Sequence, residues 1–208
     1  MVRMFGEAFW DGRYRGSTAV WSGRPNPQLV SEVSGMPPGR AMDAGCGEGA
    51  DSLWLAHKGW QVTAVDFSSV ALDRARRHAS AQAFPGSIAW EHRNLLRWTP
   101  PPGSYDLVSA QFMHLPSEDR DSLYKRLAAS VATGGTLLIV GHSKTDIDAG
   151  ARRPHGDGLF FKAIDIAGSL TPEHWDIAVA EARPRSGSDA AGRAITIHDE
   201  VLRAVRLA

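Results

Sequence analysis

Asp43-Ala44-Gly45-Cys46-Gly47-Glu48-Gly49 sets three glycines at alternate positions just behind an acid. Without a Cβ, glycines there permit a tight turn and let the backbone approach a ligand closely. Asp43 beside such a loop would repel a pyrophosphate, whereas it suits a ligand carrying an ammonium or sulfonium. Asp66 stands 21 residues after Gly45 and closes the next β-branched run, placed to accept from ribose hydroxyls. Cys46, the single cysteine, lies near a helix N-terminus, which admits a nucleophile reading; the loop itself needs only a small side chain there. His114 and His142 follow two apolar runs and are candidates to take a proton from, or orient, a reacting group. The other histidines, His57, His78, His92, His155, His174 and His198, have no metal-ligand spacing, so no metal is expected.

The glycine loop has a rival reading. Gly45-x-Gly47-x-x-Ala50 also satisfies the dinucleotide fingerprint, with Asp66 at the right offset. Against a nicotinamide or flavin stand the charge of Asp43, a chain end that reads as a hairpin where a second nucleotide-binding half would lie, and no room for a substrate domain.

These residues must be held by alternating apolar elements. Strands are expected at Arg40–Asp43, Val62–Val65, Ile88–Glu91, Tyr105–Ala110 and Thr136–Val140, the last apolar throughout and therefore buried on both faces. A helix runs from Ala50 to Lys58 and stops at Gly59. A second is capped by Ser68 or Ser69, with Arg74, Arg76 and Arg77 solvated. A third is capped at Ser117, carries the stripe Leu123, Leu127 and Val131, and ends at Gly134-Gly135. Five strand–helix repeats predict a doubly wound α/β fold, a seven-stranded mostly parallel sheet. Residues 142–162 read as a polar loop containing Lys144 and Arg152-Arg153-Pro154-His155-Gly156, followed by a short helix from Ile164 to Leu170. Trp175–Ala182 and Ala194–Arg203, joined through Ser186-Gly187-Ser188-Asp189, form a C-terminal antiparallel hairpin.

The 208 residues suit one domain, with residues 1–35 as a cover segment and 36–208 as the core. Equal counts of 23 basic and 23 acidic residues argue against a dedicated nucleic-acid binder. One cysteine cannot form an internal disulfide, and no secretory leader or membrane span is read, so a cytoplasmic protein is expected.

The chain resembles the class I S-adenosylmethionine-dependent methyltransferases from about Trp10 to Arg203. The likeness is carried by Asp43-x-Gly45-x-Gly47-x-Gly49, by Asp66, and by Tyr105-Asp106-Leu107-Val108. Within that family it is similar to small-molecule enzymes of the thiopurine and tellurite-resistance type, through Trp10-Asp11-Gly12-Arg13-Tyr14 and Trp21-Ser22-Gly23-Arg24-Pro25. The resemblance implies S-adenosylmethionine as cofactor, with Gly45, Cys46 and Gly47 against its methionine part and Asp43 facing the ammonium. It places Asp66 on the ribose and Phe67 on the adenine. Asn94 stands where the family has an Asp that accepts from the adenine amino group, and Leu95 offers its backbone N–H. Gln111 falls beside the methyl donor, and Tyr14 and Trp21 belong to a segment over the cofactor. An aromatic lid of Trp10 and Trp21 would suit the sulfonium, whereas Trp54, Trp60, Trp90, Trp98 and Trp175 read as packing residues.

The expected reaction is in-line methyl transfer to a small-molecule acceptor, giving S-adenosylhomocysteine. Proximity and desolvation are its main device, and His114 or His142 matters where a proton must leave. A short NAD(P)-linked oxidoreductase and a non-catalytic S-adenosylmethionine-binding protein are the alternatives.

Overall fold

The computed structural model describes residues 6–153, 158–189 and 191–207. Pro154-His155-Gly156 of the basic loop lie outside them, as do the first five residues. Seven strands form one sheet: β1 (Arg40–Ala44), β2 (Gln61–Asp66), β3 (Ser87–His92), β4 (Tyr105–Gln111), β5 (Val131–His142), β6 (Trp175–Ser188) and β7 (Ala194–Arg206). Their order is β3-β2-β1-β4-β5-β7-β6. The first five are parallel, and β7 runs antiparallel between β5 and β6. The order reverses between β1 and β4, and the crevice beyond their carboxyl ends is where such sheets bind ligands.

Alternation along each strand makes two cores. Met42, Val108, Leu137 and Ile139 face one side with Leu123 and Leu127 of α5 (Ser117–Ser130) and Ile166 of α7 (Ala163–Ala167). Ala41, Leu107, Leu138 and Val140 face the other with Leu29 and Val33 of α2 (Pro27–Val33) and Leu55 of α3 (Ala50–His57). The central run of β5 is thus buried on both faces, as its composition requires. Each such fully buried leucine contributes about 1.5–3 kcal/mol by leaving water.

Several local expectations are corrected. Helices follow β1, β2 (α4, Ser69–Ser80) and β4, but β3 reaches β4 through a stretch with no helix, so the five-repeat reading was one helix too regular. Ser68 caps α4, its hydroxyl accepting from the Ala71 N–H at 3.1 Å. Pro116, in place of Ser117, occupies the N-cap of α5, and Val131 turns extended and opens β5. The hairpin is present, but Ser186-Gly187-Ser188 are paired strand residues. Beyond them the Asp189 carboxylate accepts from the N–H groups of Ala191 and Arg193, which ties the two strand ends together. The polar loop after β5 holds a short helix, α6 (Thr145–Asp148). In the cover segment the chain makes α1 (Glu7–Arg15) and α2.

Candidate functional site

The loop after β1 is folded by its glycines. Gly45, Gly47 and Gly49 all have positive φ, at 77°, 53° and 84°. The N–H groups of Gly45 and Cys46 both donate to Val65 O at 2.8 and 3.0 Å, which pulls the loop across the end of β2. A Cβ on Gly47 would lie 3.0 Å from the Tyr14 hydroxyl, so the loop and the cover segment are in close contact there.

A cavity of about 460 Å³ opens above this loop, a volume in the usual range for a small-molecule site. At one end it is lined by Asp43, Gly45, Cys46, Gly47, Glu48, Asp51, Asp66 and Phe67. Asp43 is buried and accepts from Ser52 Oγ at 2.6 Å. Burial, with Asp51 nearby, pushes its carboxyl up to about 7. Asp66 accepts from Gly47 N–H at 2.9 Å and Ser68 N–H at 2.8 Å, and burial raises it too. Asn26 donates to both oxygens of Asp51 at 2.7 Å, fixing the start of α2 against α3. Burial beside Asp43 and Asp66 drives the Cys46 thiol well above its ordinary range, which is the reverse of an activated nucleophile.

The other end is aromatic. Phe112, His142, His114, Trp10 and Trp21 form a chain of neighbouring rings, with centroid separations of 4.5, 5.8, 6.0 and 5.9 Å in turn. Phe112 has φ 50°, a left-handed conformation held as the strand ends, with its N–H on Val140 O at 2.7 Å. Burial, assisted by Arg13 and Arg153, lowers His114 to about 4; burial, Arg153, His114 and Arg185 lower His142 to about 3. Both imidazoles are therefore neutral at neutral pH. Gln111 donates to Ser109 Oγ at 3.0 Å, while its Oε1, like His142 Nδ1, is buried with no hydrogen-bond partner among the described residues. Arg185, held by Asp199 at 2.7 Å, brings a guanidinium to the rim.

Most of the expected residues thus surround one cavity: Tyr14, Trp21, Asp43, Gly45, Cys46, Gly47, Asp66, Phe67, Gln111, His114 and His142. Asn94 and Leu95 do not. Asn94 is exposed and its Oδ1 accepts from Leu96 N–H at 3.0 Å, closing its own turn, and Leu95 is a core residue. Sequence reading missed Glu48, Asp51, Phe112 and Arg185. Glu48 stood inside the glycine motif in plain view; Arg185 had no signal, because only the hairpin's register carries it to the cavity.

Residues 41–135 match the family model described as a methyltransferase domain. Those residues carry a methyltransferase domain, and the sheet that holds them has the Rossmann-like fold of S-adenosylmethionine-dependent methyltransferases. The chain is 24% identical over 139 residues to 2-heptyl-1-hydroxyquinolin-4(1H)-one methyltransferase of Mycobacteroides abscessus, covering 65% of this chain and 61% of that protein. It is 34% identical over 119 residues to trans-aconitate 2-methyltransferase of Rhizobium meliloti, covering 56% and 43%. It therefore spans about half the length of the curated relatives it matches. A solved structure titled for the conversion of a disulfide bond into a thioacetal group during echinomycin biosynthesis superposes with TM-score 0.75 at 24% identity. That match covers 97% of this chain and 93% of the other, and shows a shared fold. The cofactor of such methyltransferases is S-adenosylmethionine, and the site suits it: a loop of three glycines at positive φ, the desolvated carboxylate of Asp43, and a second carboxylate at the end of β2. No helix among the described residues is long and apolar enough to cross a membrane, and they contain no group of three or more potential metal ligands.

Proposed function

We propose that this chain transfers the methyl group of S-adenosylmethionine to a small-molecule acceptor by in-line displacement, leaving S-adenosylhomocysteine. The observation that carries the reading is the polarity of the cavity above the glycine loop: carboxylates and glycines at one end, neutral imidazoles, indoles and a guanidinium at the other. The cofactor supplies a methyl carbon made electrophilic by a sulfonium. Asp43 holds the ammonium of its methionine part, Asp66 uses its remaining lone pairs on the ribose, and Phe67 packs on the adenine. Gln111, at the end of β4, lies beside the reacting carbon. The aromatic wall aligns the acceptor with that carbon and limits its contact with water, so proximity and desolvation are the main device.

His114 and His142 are neutral and therefore able to accept a proton, but their conjugate acids are strong. They serve acceptors that arrive ionised or nearly so, orienting them by hydrogen bonds, and the arginines around them favour negative charge. This is a site for acceptors of the small-molecule type, in keeping with the names of the two relatives. The test is a panel of thiols, phenols, amines, halides and metalloid oxyanions, read as S-adenosylhomocysteine released. Turnover with an acidic thiol or phenol above the acceptor-free background is expected; release no faster than background with every member would count against catalysis.

A further inference from the structure

Glu48 and Arg74 do work that the sequence did not announce. Arg74, expected in solvent on α4, is largely covered, with its side chain 13% exposed, and pairs with Glu48 at 2.7 Å. Its guanidinium also donates to the backbone carbonyls of Tyr14, Ser17 and Thr18. Glu48, 7% exposed, accepts from the N–H groups of Val20 and Trp21, each at 3.1 Å, through one carboxylate oxygen, and from Arg74 through the other. Between them the two side chains satisfy the backbone on both sides of the bend that joins α1 to Trp21. That segment has few other anchors to the core: Trp21 is 45% exposed, and its ring N–H donates to the Tyr14 hydroxyl within the segment itself. Glu48 meanwhile sits between Gly47 and Gly49, and the Gly47 N–H is held by Asp66.

We propose that Glu48 and Arg74 are positioning residues that couple the cofactor loop to the aromatic cover, so that seating the cofactor and shaping the acceptor site are one event. The geometry gives the route. A ligand resting on Gly45 and Gly47 fixes the backbone of residue 48; the Glu48 carboxylate transmits that order to the Val20 and Trp21 amides, and Arg74 ties the far side of the bend. Linkage then requires the converse: whatever orders the cover tightens cofactor binding by the same factor. The inference rests on the glycine loop being the cofactor seat.

Amide exchange at Val20 and Trp21, with and without saturating S-adenosylhomocysteine, tests it. In the wild type the ligand should slow exchange there, on the order of tenfold, the usual size of such coupling. In Glu48→Ala and in Arg74→Gln the ligand should still bind, more weakly, while its effect at Val20 and Trp21 disappears and that on β1 amides persists. Glu48→Gln keeps an oxygen for the two N–H groups and loses the ion pair, so it should retain part of the effect. It also serves if the alanine variant does not fold. Undiminished slowing at Val20 and Trp21 in these variants, or no slowing in a wild type that binds the ligand, overturns the coupling. Failure of the wild type to bind S-adenosylhomocysteine overturns the seat itself and is read separately by calorimetry.

Discussion

Asp43 carries a charge that the fold alone does not reward, and this makes it the clearest residue to interrogate. Its carboxyl titrates near 7 in the folded chain against an ordinary value of 3.8, because burial and Asp51 disfavour the anion. The folded state therefore binds the proton more tightly than the unfolded chain. The stability this contributes is fully present below about pH 4 and lost as pH rises through 7. An ammonium held against Asp43 reverses the preference, so binding of S-adenosylhomocysteine, which keeps that ammonium, should release a proton below pH 7 and weaken as pH falls from 7 to 5. Calorimetry in buffers of different ionisation enthalpy measures both. Asp43→Asn should raise the melting temperature of the free protein at pH 8 while weakening S-adenosylhomocysteine by about ten- to a hundredfold, the worth of a charge-assisted hydrogen bond. His114 and His142, lowered to about 4 and 3, should keep neutral imidazole resonances from pH 5.5 to 8; titration of either near 6.5 in an NMR series would contradict the dry aromatic wall.

Among the elements, the turn from β1 into α3 is the most constrained. Gly49 caps α3 in the left-handed region, and a Cβ there would fall 2.6 Å from the Trp90 ring and 3.0 Å from Ala75. Gly49→Ala combines a left-handed alanine, about 1–2 kcal/mol, with overpacking of about 1–3 kcal/mol. At about 2–4 °C per kcal/mol for a domain of this size, a thermal melt should fall by roughly 4–20 °C. Such turns are legible in sequence because glycine spacing has few other causes, and the apolar runs of β1 to β5 were legible for a similar reason. The cover was not. α1 has only Asp11 and Tyr14 buried along its length, so no apolar stripe marks it as a helix. It is held by polar contacts, such as Ser68 Oγ donating to Asp11 at 2.5 Å, that depend on residues far along the chain. Asn94 stands apart for a complementary reason: it lies outside the cavity lining, and its Oδ1 accepts from Leu96 N–H within its own turn, a local contact that its place in the motif does not signal.

Across the whole molecule, strand order was the feature that hydrophobic patterning could not supply. The runs give five parallel strands and a hairpin, but β7 inserting between β5 and β6 is decided by pairing partners, with His142 opposite Asp199 and Thr136 opposite Val205. That insertion brings Arg185 to the cavity, so the cationic rim of the acceptor end is a property of topology. Equal numbers of acids and bases in the chain likewise conceal a spatial division, with Asp43, Asp51 and Asp66 at one end of the cavity and Arg13, Arg153 and Arg185 acting on the other. A cationic cofactor and an electron-rich acceptor are what such a division accommodates. Calorimetric titration of the wild-type protein with S-adenosylhomocysteine and, separately, with NAD and NADP tests this most directly. One-to-one binding of S-adenosylhomocysteine and no heat from either dinucleotide are expected; binding of a dinucleotide without binding of S-adenosylhomocysteine would contradict the cofactor assignment.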